Sequence, residues 1–312
     1  MNLVESSTQI LQQDGGSIAS MMKFITKVGY TCYKTNKEIT DEIAAKFVDG
    51  LIKSGHGAML EHGTVFLAIP AEKMKNEQVS RVVSNLISYH LWTRYTEKIM
   101  NDKMYLIIIT NFRVIVDNNL QQFMKDYWYI PTQDERKCRP TVKFITDQGV
   151  LRELTRHRVF SFAVESTRYC NYSTDKFSNE ITFIQPSWIS NKDIENYNTD
   201  FKYFTDKDTN HINAINRFMS ALINAEYFYM ELIKLGWKPQ QARSVLPLST
   251  KCDVIMTGFA DDWQHFFDLR ALDKTGPAHP DMKKLALPLY QEFLKLDIIE
   301  EEPKQEKQTK ES

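Results

Sequence analysis

The stretch RELTRHRVFSFAVESTRY, residues 152–169, is the densest cluster of chemically capable side chains in the chain. It places four arginines and one histidine among apolar residues. A guanidinium group is planar and donates paired hydrogen bonds to carboxylates, phosphates and base edges. Residues 150–156 predict the start of a helix, on which Arg156, His157 and Arg158 would point about 100° apart. One turn could then contact three ligand groups or three subunits.

A solvated amphipathic helix is the alternative interpretation of this stretch, with arginines paired to Glu153 and Glu165. An isolated Arg-His-Arg tripeptide favours that interpretation. Here, however, seven residues separate Arg158 from Ser166, and Arg168-Tyr169 follow directly. The longer pattern is too specific to arise easily by chance.

This pattern resembles the signature of the flavin-dependent thymidylate synthases, in which Arg-His-Arg is followed by seven residues, a serine and an Arg-Tyr pair. Three further segments are similar to family segments and occur in the same order. They are GHGAMLEH (residues 55–62), ARSVLP (242–247) and FFDLR (266–270). The chain departs from the family pattern at Ala58, Ala163, Val164 and His265. These departures keep a catalytically impaired homologue, which still binds flavin or nucleotide, as an alternative.

The resemblance implies an α+β fold with mixed helices around a central antiparallel-type sheet. It implies a single domain over residues 1–299, with an inserted segment at about 70–140 that compact members lack. It also implies a homotetramer whose active sites lie where subunits meet. Residues 300–312 are almost all charged or polar, which predicts a disordered tail.

The activity implied is the conversion of dUMP to dTMP, with methylenetetrahydrofolate as carbon donor and reduced FAD as hydride donor. NADPH or NADH would reduce the flavin. The residues that would hold FAD are His56, Arg156, His157, Arg158, Arg243 and His265. Those that would surround dUMP are Glu153, Arg156, Glu165, Ser166, Arg168, Arg243 and Arg270.

Two of these residues, Arg270 and Ser166, would lie at the reacting centre. Arg270 matches the family residue that stabilises ionised uracil N3, and a fixed cation does favour the ionised form of an acid. Ser166 is expected to bind rather than attack, because the spacing places no base beside it. Cys170 is expected to be a buried thiol of the core.

The net charge and the lengths of the apolar runs disfavour two further classes of protein, general polyanion binders and membrane-spanning proteins. The 312 residues carry 39 Lys and Arg against 40 Asp and Glu, a net charge of −1, which disfavours a general polyanion binder. Basic and aromatic residues do alternate in residues 152–168, so a nucleic-acid module remains a third hypothesis. No apolar run of 18 residues occurs, which predicts no membrane span.

The chain shows no secretory signal pattern at its N-terminus. Its four cysteines, Cys32, Cys138, Cys170 and Cys252, are far apart in sequence. This spacing disfavours a disulfide framework or a metal site and favours a cytoplasmic protein.

Local patterns predict a frayed start over residues 1–16 and a helix after Thr40 that Gly55 ends. They predict a polar turn at 55–62, strands at 64–69, 105–110 and 141–145, and helices at about 209–235 and 239–245. Residues 70–140 are interpreted as an excursion from the main domain that is too thinly apolar to form its own core.

Overall fold

The structure, a computed structural model, describes residues 1–14, 16–195 and 211–301. The strands are β1 Asn2–Val4, β2 Ser7–Leu11, β3 Thr64–Pro70, β4 Arg94–Met100, β5 Lys103–Asn111, β6 Thr141–Asp147, β7 Ser161–Val164, β8 Thr182–Ile184 and β9 Lys251–Thr257. The first helices are α1 Ile18–Tyr33, α2 Asp41–Lys53, α3 Glu77–Ser88, α4 Phe112–Asp117, α5 Gln121–Asp126 and α6 Gln133–Arg136. They are followed by α7 Gln148–Leu154, α8 Asn191–Glu195, α9 His211–Lys234, α10 Pro239–Ala242, α11 Ala260–Arg270 and α12 Pro280–Lys295.

The central element is a four-stranded antiparallel sheet in the order β2-β6-β9-β7. One face of β9 packs its buried side chains against α11 and α12, with Trp263, Phe266 and Phe293 fully buried in the same core. The sequence prediction of a mixed α and β protein with an antiparallel sheet is confirmed at this level. Because β7 is the sheet's edge strand, the chain segments before and after it reach the surface.

A second antiparallel sheet, in the order β3-β5-β4, lies beside helices α1 and α2. Its core contains Val65 and Ile108 from the sheet and Met21, Ile25 and Val48 from the two helices. Residues 70–140 were interpreted as an excursion without a core of its own, and the core that they join does include side chains from α1, α2 and β3. Their strands and helices supply apolar side chains that only become a core when the N-terminal helices cover them.

The N-terminus is not frayed, contrary to the sequence prediction. Strand β1 pairs in parallel with β8, and β2 pairs with β6 at the edge of the central sheet. Ser7 and Gln9 of β2 are exposed whereas Leu11 is buried. An edge strand with one solvated face tolerates such a polar composition, which explains why the segment looked unstructured in sequence.

The helix predictions hold in most places. Helix α2 begins after Thr40, whose Oγ1 accepts a hydrogen bond from the backbone N of Ile43 (3.3 Å). Helix α10 begins with Pro239, as predicted. Helix α12 continues through Pro288.

Two further predictions fall partly or wholly outside the described residues. These are the start of α9 at residues 209–210 and the tail beyond residue 301. None of the helices in the described part of the chain is both long enough and apolar enough to cross a bilayer.

Candidate active site

The Arg-His-Arg motif lies in turns between helix α7 and strand β7. Helix α7 begins where Asp147 Oδ1 accepts a hydrogen bond from Val150 N (2.7 Å), and it ends at Leu154. The backbone N of His157 then bonds to the Leu154 carbonyl (3.1 Å), a turn-type contact. The prediction that the motif continues a helix is wrong, because the chain must turn here to enter β7 at Ser161.

The turn points its three side chains into different environments. Arg156 and Arg158 are exposed, whereas His157 is buried with 8% of its surface accessible. The His157 ring packs edge-on against the rings of Phe160 and Phe266. Two cations therefore face solvent on either side of a buried imidazole.

Arg270 joins His157 to Glu153. The Nε of Arg270 donates to His157 Nε2 (3.1 Å), and its Nη1 contacts Glu153 Oε2 (2.8 Å). Arg270 is the last residue of α11, more than 110 positions after the other two. The structure thus brings together three residues that the sequence analysis placed in one site.

The imidazole of His157 is held neutral. Burial first, and then the positive charges of Arg270 and His265, lower the pKa of His157 to about 4. Since the Arg270 guanidinium only donates, Nε2 of His157 accepts and the ring proton resides on Nδ1. His265 is exposed on α11 and acts on His157 through its charge.

A second group of candidate residues follows β7. The backbone N of Ser166 donates to the Cys32 carbonyl (2.9 Å), and the Ser166 carbonyl accepts from Cys170 N (2.9 Å). Arg243 Nη1 donates to Thr167 Oγ1 (2.9 Å), which places two distant motifs beside each other. Arg168 is exposed, with its guanidinium 5.6 Å from the ring centroid of Tyr169.

Glu165 is buried in a network of charges rather than paired with arginines. It is 4% exposed, and its Oε2 lies 3.2 Å from Lys34 Nζ and 3.3 Å from Lys251 Nζ. The same two lysines contact Asp253, whose pKa they hold below its usual range against the opposing effect of burial. The alternative interpretation, in which Glu165 pairs with motif arginines, is wrong.

The lysine network was missed by the sequence analysis. Lys251 and Asp253 are two residues apart on β9, so their side chains lie on the same face of the strand. A carboxylate in an otherwise apolar strand could have indicated a buried ion pair. Lys34 carried no such signal, because its position is set by the left-handed C-cap of α1 (φ 50°). This network anchors the backbone just before Ser166.

His56 lies at the end of helix α2. The helix closes with a Schellman motif, in which Gly55 has φ 70° and the N of His56 donates to the Leu51 carbonyl (3.0 Å). The His56 side chain is exposed, and its Nδ1 lies 3.3 Å from Ser54 Oγ. Residues 57–62, predicted as a turn, form a 3-10 helix.

His62, at the end of this 3-10 helix, has a structural role. It is fully buried, and its Nδ1 lies 2.7 Å from Thr257 Oγ1 at the end of β9. Burial, followed by the charge of Arg139, lowers the pKa of His62 to about 3. A neutral imidazole buried against a threonine hydroxyl stabilises the fold at this point.

The candidate residues of one chain form two separate groups. One group contains Glu153 and His157, which precede β7, together with Arg270 of α11, and the other contains Ser166 and Arg168, which follow β7. Four strand residues separate them, about 13 Å at a rise of ~3.3 Å per residue. No hydrogen bond, ion pair or ring contact joins the two groups within the described residues.

The family model described as "Thymidylate synthase complementing protein" matches residues 137–297, more than half of the chain. The chain belongs to this family. The resemblance of its motifs to those of the flavin-dependent thymidylate synthases is thereby confirmed. The matched region includes both groups of candidate residues flanking β7, whereas His56 lies outside it.

Three curated relatives carry the name flavin-dependent thymidylate synthase. Those from Haloarcula marismortui and Halobacterium salinarum are 29% and 30% identical, each over 40% of this chain and 51% of the relative. That from Synechocystis sp. is 27% identical over 50% of this chain and 66% of the relative. The chain therefore spans about half to two thirds of the length of these relatives.

Among solved structures, the chain is similar to a UMP/dUMP methylase from Streptomyces cacaoi bound with 5-Br dUMP. The sequence identity is 16% and the TM-score 0.42, over 95% of this chain and 93% of that chain. The same methylase bound with 5-Br UMP gives 17% identity and a TM-score of 0.43.

Proposed function

We propose that this member of the family is a flavin-dependent thymidylate synthase, which methylates dUMP reductively to dTMP. Its carbon donor would be methylenetetrahydrofolate and its hydride donor FAD, reduced by NADPH or NADH. One observation carries this proposal. Four exposed motif arginines, Arg156, Arg158, Arg168 and Arg243, pair with no carboxylate among the described residues.

Exposed guanidinium groups without counter-ions suit anionic ligands, because Arg–phosphate contacts are short, charge-assisted and often paired. A flavin pyrophosphate and a nucleotide phosphate are such anions. The arginines occur on both sides of β7, two in each group. This distribution fits two anionic ligands better than a single extended one.

The residues before β7 fit FAD. Arg156 and Arg158 would bind the pyrophosphate of FAD. The neutral ring of His157, kept in place by its hydrogen bond with Arg270, would also contact FAD. His56 and His265, both exposed, would complete the contacts. Bound FAD, once reduced, supplies a hydride that side chains alone cannot provide.

Arg270 and Glu153 would orient the uracil ring. The ion pair of 2.8 Å holds the guanidinium in one place, so it need not reorganise when charge develops on the ring. A cation fixed beside N3 stabilises the ionised uracil and makes its C5 a better nucleophile. Ser166, Arg168 and Arg243 would bind the nucleotide from the other end of β7, with Glu165 behind them.

The motif offers no activated nucleophile of its own. Burial raises the pKa of Cys170 to about 11, so its sulfur remains a thiol at neutral pH. Among the described residues, no imidazole or carboxylate is hydrogen-bonded to the hydroxyl of Ser166. A reaction driven by flavin hydride, without an enzyme nucleophile, agrees with both facts.

The separation of the two groups supports an assembly in which different chains complete each site. A homotetramer with active sites at subunit interfaces would bring one chain's Arg270 group to another chain's Ser166 group. Exposed apolar residues near the C-terminal end of α9, among them Tyr227, Phe228 and Leu235, provide surface for such contacts. The single domain over residues 1–299, the insertion at about 70–140 and a cytoplasmic location belong to the same proposal.

The first experiment is a visible absorption spectrum of purified protein, before and after adding FAD and then dUMP. The proposal predicts flavin bands that co-purify or that appear on adding FAD, and a spectral change with dUMP. Replacing Arg156 and Arg158 together by Gln should weaken FAD binding, whereas Arg81→Gln on α3 should not. A colourless protein that does not bind FAD would contradict the proposal.

A further inference from the structure

A cavity of about 560 Å³ opens between the two sheets, and its described lining contains no residue of the two groups that flank β7. The segment after β2, the start of β3 and helix α6 border it, and the chain after α12 closes it. Its volume lies in the range of about 300–1,000 Å³ that is usual for small-molecule sites. Its apolar lining consists of Ile10, Leu11, Phe66, Pro140, Leu296 and Ile298.

The charged residues of this lining are unbalanced. Arg136, Lys137 and Arg139 are positive, and only Asp14 is negative. Lys137 is paired with Asp134 outside the cavity (2.8 Å), and Arg136 Nη1 lies 3.6 Å from Asp14, whose side chain is 76% exposed. The Nε of Arg136 is buried without a hydrogen-bond partner.

Arg139 is the decisive residue because it is 94% buried and forms no ion pair with a carboxylate in the part of the chain that the structure describes. Its Nη1 donates to Thr64 Oγ1 (3.0 Å) and its Nη2 to the Glu61 carbonyl (2.8 Å), both neutral acceptors. The nearby Glu61 carboxylate is already paired with Arg113 (2.6 Å). Burial lowers the pKa of Arg139 to about 10, although the negative charges of Glu61 and Asp262 act in the opposite direction, so its charge is only partly compensated.

The position of this arginine is well fixed. The Gln13 side chain makes two hydrogen bonds of 2.8 Å with the backbone of Thr64, whose hydroxyl accepts from Arg139. The cavity thus combines an apolar lining with two guanidinium groups. That of Arg139 is buried and fixed, and that of Arg136 has a buried Nε without a hydrogen-bond acceptor among the described residues. Keeping a partly compensated cation in such a place is costly unless an anion joins it.

We propose that this cavity is a binding site for a small amphipathic anion, with one carboxylate, sulfonate or phosphate group on an apolar body. The anionic group contacts Arg136 and Arg139, and the body lies against Leu11, Phe66 and Ile298. This site is independent of the activity proposed above, since no residue of either motif group lines it.

The test uses a fluorescent probe of this chemistry, 8-anilinonaphthalene-1-sulfonate, titrated into the full-length protein. The neutral analogue N-phenyl-1-naphthylamine has the same rings without the sulfonate. The wild-type protein should bind the sulfonate saturably, with one probe per chain, and the neutral analogue at least several-fold more weakly. Removing one charge-assisted hydrogen bond by Arg136→Gln should weaken binding roughly tenfold.

Two further variants make the result specific. Gln133 is exposed at the cavity's edge, so Gln133→Trp fills the cavity without removing a charge or a core side chain. This variant should abolish binding, while Arg81→Gln, which removes an exposed arginine elsewhere, should leave it unchanged. Both cavity variants replace surface or half-buried residues, so their folding can be verified by circular dichroism.

Three results would overturn the proposal. In the first, the wild-type protein does not bind the sulfonate saturably. In the second, binding survives both Arg136→Gln and Gln133→Trp. In the third, Arg158→Gln abolishes binding but the two cavity variants do not. The last result would place the probe at the motif arginines.

Discussion

Arg270 contacts two other candidate residues, His157 and Glu153, and holds both in place. It donates to His157 and pairs with Glu153, so one guanidinium fixes both the tautomer of the imidazole and the direction of the carboxylate. The sequence predicted that all three residues belong to one site, because each occurs in a family segment. It could not predict their mutual contacts, since these depend on the packing of α11 against the turn after α7.

Replacing Arg270 by Gln tests this arrangement in two ways. The pKa of His157 should rise towards its ordinary value, because a positive charge beside it is removed, and NMR titration of the ring measures this. Turnover of dUMP should fall roughly 10²–10³-fold, the usual cost of losing a preorganised charge-stabilising donor. Arg81→Gln is the matched control, and an unchanged His157 pKa in Arg270→Gln would contradict the described contact.

The low pKa of His157 predicts a pH-dependent stability. Its folded pKa of about 4 lies below the ordinary value of 6.5, so the unfolded chain binds more protons between these values. Stability is therefore fully present above about pH 6.5 and falls as the pH decreases to 4, by about 2–3 kcal/mol from this residue. The buried His62 acts in the same direction.

Urea unfolding at pH 7 and pH 4.5 measures this effect. The loss of stability between the two pH values should be smaller in His157→Gln than in the wild type by about the same 2–3 kcal/mol. It should be unchanged in His90→Gln, since that side chain is exposed. Equal losses in wild type and His157→Gln would show that His157 is not buried as described.

The Ser166→Ala variant tests whether the motif serine binds dUMP or acts as a nucleophile. The Ser166→Ala variant should retain measurable turnover with a raised KM for dUMP, because its hydroxyl lacks a base that would activate it. Steady-state kinetics with dUMP as the varied substrate separates the two effects. Complete loss of turnover while dUMP and FAD still bind would favour a nucleophilic serine.

At the scale of elements, the short strand β7 decides where the candidate residues lie. It separates the Arg-His-Arg turn from the Ser166 turn, and Phe160 at its start packs into the core. The sequence analysis predicted that a helix starting at residues 150–156 leads into this motif. The structure instead ends the helix at Leu154 and uses Ser161–Val164 as the edge of the central sheet.

Gly258 allows this strand to pack closely. A Cβ on Gly258 would come within 2.3 Å of the Phe160 ring, next to the turn that carries His157. We expect Gly258→Ala to destabilise the fold by about 1–3 kcal/mol through overpacking. Gly50→Ala is the matched control in the interior of α2, where nothing lies within 4 Å, and it should stabilise by about 0.5–1 kcal/mol.

Thermal or urea unfolding of both glycine variants measures the difference. Equal stability of Gly258→Ala and wild type would mean that Phe160 does not occupy the described position. The core rotamer of Phe160 could not be predicted from sequence, because it depends on the register of β7 against β9.

At the scale of the whole molecule, no hydrogen bond, ion pair or ring contact among the described residues joins the two groups of candidate residues. The family segments could be recognised in the sequence because each is a short local motif, and the fold class followed from that resemblance. The second core formed with residues 70–140 and the paired N-terminal strands could not. Both depend on contacts between segments that are far apart in the chain.

The central claim is that the protein makes dTMP in sites that two different chains complete. The Arg270→Gln variant damages one half of the site, and an Arg168→Gln variant damages the other. Co-expressed in equal amounts, the two chains should assemble at random. About one quarter of the sites would then contain two intact halves, as follows from an interface between unlike surfaces.

The decisive measurement is dTMP formation from dUMP, methylenetetrahydrofolate, FAD and NADPH by the wild type, each variant alone and the co-expressed pair. We predict formation by the wild type, at least about a hundredfold less by each variant alone, and recovery to about a quarter of the wild-type rate by the pair. Absence of dTMP with the wild type would contradict the proposed activity. An active wild type with no recovery by the pair would show that one chain supplies both halves.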